Sequence, residues 1–307
     1  MGNGQYRQHL KILIMEFKGT IANNCSEATV RTGTPNCDRE MGKPMALAIT
    51  PVNALYPIDS ETFLTALDGY ISDEGGMRMM PIKGLAGVTL NGGDINAPEL
   101  GTYGGARPIG LNAINIAYTL GGGMCLYKEL SKLNGRLCRI FIADDSNYLF
   151  GTVISKGGTD YFAGFKGTVY VTYTPTNGSE LGTITVTVYY STEYEKEMQN
   201  AMSVYLENGL PDGLIGVMLQ AVGADTVRVV TACDQTDVTA TYIDDWTQTM
   251  FVNDSGTAAT TVTPEGGNLL KISPSGKYRV ASAKVLAAGN ITGLDGIETY
   301  VQVTAGS

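Results

Sequence analysis

The stretch ITVTVYYSTEYEKEMQNA, Ile184 to Ala201, decides the fold class. In its first half Ile184, Val186, Val188 and Tyr190 fall on one side of an alternation and Thr183, Thr185 and Thr187 on the other. Period two in β-branched and aromatic residues predicts a strand with one face in a core. The second half drops the alternation. Thr192 followed by Glu195 has the form of a capping box, and Tyr194, Met198, Ala201, Met202 and Tyr205 make one helical stripe. The reading is a helix over 192–207, stopped by Asn208-Gly209 and Pro211. A strand running into an acidic helix fits the wall of an active site or a part built to lock against other copies, and the rest of the chain has to choose.

Working upstream, TPTNGSELG (174–182) joins that strand to another across 161–174, a hairpin with a polar tip. RLCRIFIA and NYLFGTVIS form a second hairpin around Asp144-Asp145-Ser146. MCLYKELSKLNG predicts a short helix, with Leu126, Leu130 and Leu133 on one side and Asn134-Gly135 as its stop. IGLNAINIAYTLGGG alternates and reads as a strand whose Ile114, Ile116, Tyr118 and Leu120 side suits a core. KPMALAITPVNALYPI reads as a strand and a proline-bounded loop. DSETFLTALDGYISDEGG reads as a helix capped by Asp59 or Ser60, with Phe63, Leu64 and Leu67 inward. Residues 75–108 are dense in turn formers and predict a long extended loop or hairpin, a length that is usually functional or packed on a partner.

Downstream of Gly209 to Gly213 the chain is all strand and turn: LIGVMLQAVG, DTVRVVTACD, TATYIDDWTQTMFV, KYRVASAKV and IETYVQVTA. Short strands near ten-residue spacing predict a small sandwich. The expected architecture is therefore mainly β, in two domains. Residues 1–212 form a β-sandwich or barrel core with flanking helices and long loops, and 213–307 a small β-sandwich.

The totals exclude several functions. With 307 residues the chain can bury a real core. Its net charge is −9, and no Lys/Arg-rich run offers a grip on nucleic acid, although an acidic surface past which nucleic acid slides is not forbidden. Cys25, Cys37, Cys125, Cys138 and Cys233 are odd in number and widely spaced, which argues for buried or half-buried thiols in a reducing compartment over a disulfide scaffold or zinc site. The opening MGNGQYRQHLKILIMEFKG has too short an apolar run for a signal peptide and misses the myristoylation pattern. No stretch reaches membrane-spanning length, so the expectation is a soluble protein made in a cytoplasm.

Chemistry is hard to find. The single histidine, His9, would have to serve any Ser-His-Asp or Cys-His arrangement, and it reads better as a solvated tail residue. The carboxylate groups Asp144-Asp145, Asp244-Asp245, Asp73-Glu74 and Glu193-Glu195-Glu197 fall in turns or on an exposed first helical turn, where acids solvate or favour the helix dipole. Asp144, Asp145 and Asn147 could offer oxygens to calcium but lack EF-hand spacing. GTYGGARPIG and LGGGMCLYKEL lack the phosphate-loop forms, and Lys128 is not where such a loop puts its lysine. No catalytic residue, cofactor site or metal site is assigned.

Two resemblances follow. Cys233, Trp246 and the Gly276-Lys277-Tyr278 corner resemble the immunoglobulin-like pattern, with Val280 where a second cysteine would stand, so no inter-sheet disulfide is expected there. The run GGARPIGLNAINIAYTLGGGMCLYKELSKLNGRLCRIFIADDSNYLFGTVIS, taken on through GTITVTVYYSTEYEKEM, resembles tail tube proteins of tailed bacteriophages in style over about 105–200. The resemblance implies hexameric rings stacked into a virion tail tube that conducts DNA, with copies of itself and other virion proteins as partners and no membrane. It also implies that Thr183–Tyr190 is ring wall, its Thr side towards lumen or neighbour. A head decoration or adaptor protein is the nearest alternative. A carbohydrate-binding or glycan-degrading surface protein, using Trp246 and the tyrosines, is the alternative of another class, although Trp246 also suits a sandwich core.

Overall fold

The computed structural model describes residues 41–97, 109–176, 178 and 181–304, and the chain is mainly β. It divides into two units: the first runs to residue 66 and resumes over 81–211, and the second takes 67–80 and 212 onward.

The first unit is one branched, 11-stranded sheet. Its strands are β1 (Pro44–Pro51), β2 (Tyr56–Pro57), β3 (Met80–Lys83), β4 (Leu85–Asn91), β7 (Asn115–Gly121), β8 (Arg136–Asp144), β9 (Tyr148–Lys156), β10 (Thr159–Ala163), β11 (Phe165–Thr174), β12 (Thr183–Tyr190) and β13 (Ala201–Tyr205). A two-residue pair, β5 (Ile95–Asn96) with β6 (Gly110–Leu111), stands apart. The unit's helices are α2 (Met124–Ser131) and α3 (Tyr194–Gln199), and α1 (Ser60–Ser72) begins in it and runs on past residue 66.

The sheet has a centre and a wing. At the centre β8 pairs with β1 along one edge, and with β11 and then β9 along the other. From Ile140 to Asp144 every residue of β8 is buried, as are Ala46 to Thr50 of β1. Strands covered on both faces read as continuous apolar runs, which is why LCRIFIA and MALAI lack alternation. Over one face sits an aromatic cluster: Phe141 meets Phe162 at 5.0 Å and Tyr56 at 5.8 Å, and Phe63 of α1 meets Phe162 at 5.3 Å. Gly151 lets these rings close down, because a Cβ there would collide with the Phe141 and Phe162 rings and the Ala163 carbonyl. Asp59 caps α1, accepting from the Thr62 N–H at 2.8 Å.

The wing runs β11–β12–β7–β4. Here alternation is clean, with Ile184, Val186, Val188 and Tyr190 buried as the sequence predicts. Leu130 of α2 and Leu133 just beyond it are buried, whereas Leu126, expected on the same side, is exposed, and Gly135 at φ 71 turns the chain into β8.

Several expectations are corrected. The helix over 192–207 ends at Gln199, and 201–205 is strand β13, paired with β9. Met202, Val204 and Leu206 are buried, a second, period-two pattern hidden in the same residues as the helical stripe. The capping box is not formed: Glu193 is the N-cap and makes no side-chain cap. Of the two readings of 75–108, loop or hairpin, the described residues favour the hairpin, since β4 pairs antiparallel with β7 and β5 with β6, while 98–108 lies outside the described residues.

The second unit is a sandwich. Strands β14 (Ile215–Ala221), β15 (Thr226–Thr231), β17 (Thr261–Glu265), β18 (Leu269–Ser273) and β20 (Leu294–Gly296) form one sheet; β16 (Phe251–Asn253), β19 (Gly276–Val280) and β21 (Val301–Val303) form the other. Their shared core holds Val217, Leu219, Val229, Trp246, Phe251, Tyr278 and Val280. Two segments depart from the strand reading. TATYIDDW is a short 3-10 helix, Ala240–Tyr242, and turns; the tail of KYRVASAKV enters helix α4 (Ala283–Ala288) after Ser282. Trp246 is held inside, its indole N–H donating to the Thr239 carbonyl at 3.2 Å.

Candidate functional site

Two of the candidate carboxylates, Asp144 and Glu197, are engaged in holding the fold. Asp144 is buried, and its two carboxylate oxygens accept from the N–H groups of Gly42, Ser146 and Tyr148 at 3.1, 3.0 and 2.9 Å. The expectation of a solvated turn acid is thus corrected, and its oxygens are taken by backbone, while Asp145 stays exposed. Glu197 is corrected in the same sense. It is buried, paired to Arg139 at 3.2 Å, and its second oxygen accepts from the Lys166 N–H at 2.8 Å. Arg139 also donates to the carbonyls of Val52 and Gly164 at 3.0 and 2.8 Å, so one ion pair ties α3 to three segments of sheet and loop. Glu193, Glu195, Asp244 and Asp245 are exposed. Asp73 pairs with Lys284 at 3.5 Å, and Glu74 accepts from Ser282 Oγ. No group of three or more His, Cys, Asp or Glu able to hold a metal occurs among the described residues.

The cysteine reading is also corrected. Cys125 and Cys233 are each in a disulfide, and Cys138 is a buried free thiol whose pKa burial pushes up. An odd count at wide spacing conceals pairing, because which sulfurs meet is set by tertiary structure. Cys25, Cys37 and His9 lie outside the described residues, as does most of GTYGGARPIG. Lys128 is exposed on α2, whose N-cap is Gly123.

What remains open is the wing. Strand β4 ends the strand order and pairs with β7 alone among the described residues. Its Val88 stands opposite Tyr118 and its Leu90 opposite Ile116, the side of the sheet that buries Tyr118, yet Leu90 is 63% exposed and Val88 38%. The result, among the described residues, is an edge paired on one side only, with an apolar ledge beside it.

The other side of the wing carries three uncharged rows, read straight across the strands. One row is Leu137, Thr168, Tyr189, Asn115 and Asn91; the next is Tyr170, Thr187, Ala117 and Thr89; the third is Thr172, Thr185, Thr119 and Gly87. The Tyr170 and Tyr189 rings meet edge to face at 5.8 Å and 89°, and with Thr168 line an open hollow of about 540 Å³. Asn91 Nδ2 donates to Asn115 Oδ1 at 3.3 Å. Sequence reading marked the Thr side of β12 and named the tyrosines only collectively, as sugar platforms; the register of β11 on β12, which brings Tyr170 and Tyr189 together, is not written in either strand alone.

Beneath the wing lies a tyrosine cluster. The Tyr118 and Tyr190 hydroxyls share a hydrogen bond at 2.9 Å, and Tyr190 packs on Tyr194 at 4.2 Å. Burial pushes the pKa of all three upward.

No known family model and no curated protein sequence matches the chain. Among the described residues, no helix is long and apolar enough to cross a membrane.

Proposed function

We propose that this chain is a non-enzymatic structural protein that assembles with copies of itself, as a tail tube protein of a tailed-bacteriophage virion. The observation that carries the reading is the β4 edge, paired among the described residues with β7 alone, and its Val88–Leu90 ledge. An edge strand exposes unpaired N–H and C=O groups, and monomers blunt such edges with charge, proline or a covering element. Leu85–Asn91 (LAGVTLN) has neither charge nor proline. Pairing with a neighbour would bury the ledge, at roughly 25 cal/mol per Å² of apolar surface. It would also add backbone hydrogen bonds worth about 0.5–1.5 kcal/mol each. An edge that pairs with a different surface of the next copy generates a closed ring or an open stack.

The charge balance supports the cargo. At −9, a lumen formed by such copies would repel DNA phosphates enough for the polymer to pass without sticking. On this reading the second unit is an immunoglobulin-like module appended to the tube wall, and other virion proteins cap the stack. The carbohydrate reading through Trp246 loses its platform, because that ring is inside the sandwich.

Size-exclusion chromatography with light scattering, followed by negative-stain imaging of any large species, tests the proposal. Rings or stacked tubes are expected. Leu90→Lys should return them to monomer with the fold intact, since it places a charge on a ledge that only assembly buries.

A further inference from the structure

We infer that the Tyr170–Tyr189 surface is a binding site for a neutral oligosaccharide. The inference requires the Thr side of β12 to face outward, not a lumen or a neighbour; pairing at the β4 edge extends the sheet in its own plane and by itself leaves that side uncovered. Three features converge on this ligand class. The first is the pair of exposed rings, 47% and 49% open, set at right angles. One ring offers its face to the C–H-rich side of a pyranose while the other offers an edge against the sugar's rim, and the negative ring face attracts those polarised C–H groups. The hollow of about 540 Å³ they share with Thr168 is within the usual range of roughly 300–1,000 Å³ for small-ligand sites.

The second feature is the hydrogen-bonding inventory around the rings. Thr168 and Thr187 sit directly across from Tyr189 and Tyr170, and Asn115 stands next to Tyr189 on the following strand. Hydroxyls and amides both donate and accept, which suits sugar hydroxyls that do the same. The row from Leu137 to Asn91 crosses five strands, a span of roughly 19 Å at the usual strand spacing. That is the reach of a short oligosaccharide more than of a single ring.

The third feature is charge. None of the three rows holds an acidic or basic residue, and the cations at their border are already paired. Lys166 and Arg139 form the next row along, with Glu193 3.9 Å from Lys166 and Glu197 3.2 Å from Arg139. A phosphate or sulfate chain would find no free positive group on these rows, so the ligand is neutral.

The test starts with a neutral-glycan array on the purified full chain. Saturation-transfer NMR with cellohexaose, maltohexaose, xylohexaose and chitohexaose follows. Saturable binding of at least one of these sugars is expected, with saturation passing from the protein to the sugar's ring protons. Tyr170→Ala and Tyr189→Ala should each weaken it roughly tenfold while the thermal midpoint stays put, as loss of a central aromatic contact does at other interfaces. Tyr170→Phe, which keeps the ring, should retain most of the affinity. No saturable binding across the array and the four sugars overturns the inference. Binding that survives both alanine variants overturns it as well, and so does a proline-rich peptide that occupies the two rings where no sugar does.

Discussion

The centre and the wing of the large sheet are built from the same kinds of residue and do opposite jobs. In the centre, β1 and β8 are covered on both faces, and their polar groups are consumed by one another: Arg139 by Glu197 and two carbonyls, Asp144 by three backbone N–H groups. In the wing, β12 and β7 bury one face and display the other, while β4 is exposed on both beyond Leu85 and, among the described residues, has no partner on its outer edge. The difference shows where to look for function when the buried carboxylates among the described residues are taken up by backbone and counter-charge. Burial on both sides spends a residue on stability, whereas a one-sided sheet keeps a face and an edge in reserve.

Substitutions should therefore divide between the two regions. The largest expected effect is in the centre. Phe141→Ala or Phe162→Ala removes a ring from the aromatic cluster and should lower stability by about 3–5 kcal/mol in denaturant unfolding. Glu197→Gln comes next: the Arg139 guanidinium, 11% exposed with its partner, would lose its counter-charge, at a cost of about 3 kcal/mol. Equal stability for that variant would mean water reaches the pair, and the centre would be less closed than described.

An intermediate effect lies under the wing. Tyr118→Phe leaves the Tyr190 hydroxyl without its partner and should cost about 1–2 kcal/mol. The same cluster sets a pH dependence. Folded Tyr118 and Tyr190 hold their protons above the ordinary value of 10.0, so the unfolded chain ionises first as pH rises. Their contribution is whole below about pH 10 and is lost as pH climbs towards their raised folded values. Alkaline unfolding curves should show this loss, and Tyr118→Phe should make it shallower. The smallest effect on stability belongs to the open face and ledge, where Tyr170→Ala and Leu90→Lys should stay within about 0.5 kcal/mol. Alkylation adds a chemical check: without reductant Cys138 should react only on unfolding, and Cys125 and Cys233 only after reduction.

How legible each region was follows from the same contrast. The wing could be read from sequence because one buried face imposes alternation, and TITVTVYY states it residue by residue. The centre was legible as strands from apolar runs, but its closures were not: Arg139 and Glu197 are 58 positions apart and meet only through the fold. The segment after Gln199 was misread because Met198, Met202 and Tyr205 satisfy a helical spacing while Met202, Val204 and Leu206 satisfy a strand. Pairing with β9 decided between them, which local pattern cannot anticipate. The Tyr170–Tyr189 site was invisible for a related reason, since strand register, not either strand's own sequence, creates it.

The most direct test of the account is amide hydrogen exchange across Leu85–Asn91, measured on the same protein at low and high concentration. If copies join through this edge, the outward amides of β4 exchange fast when dilute and become protected as assemblies form, while β1 and β8 stay protected throughout. Protection of β4 that does not change with concentration, in a sample that remains monomeric, would contradict the claim that this edge exists to be paired.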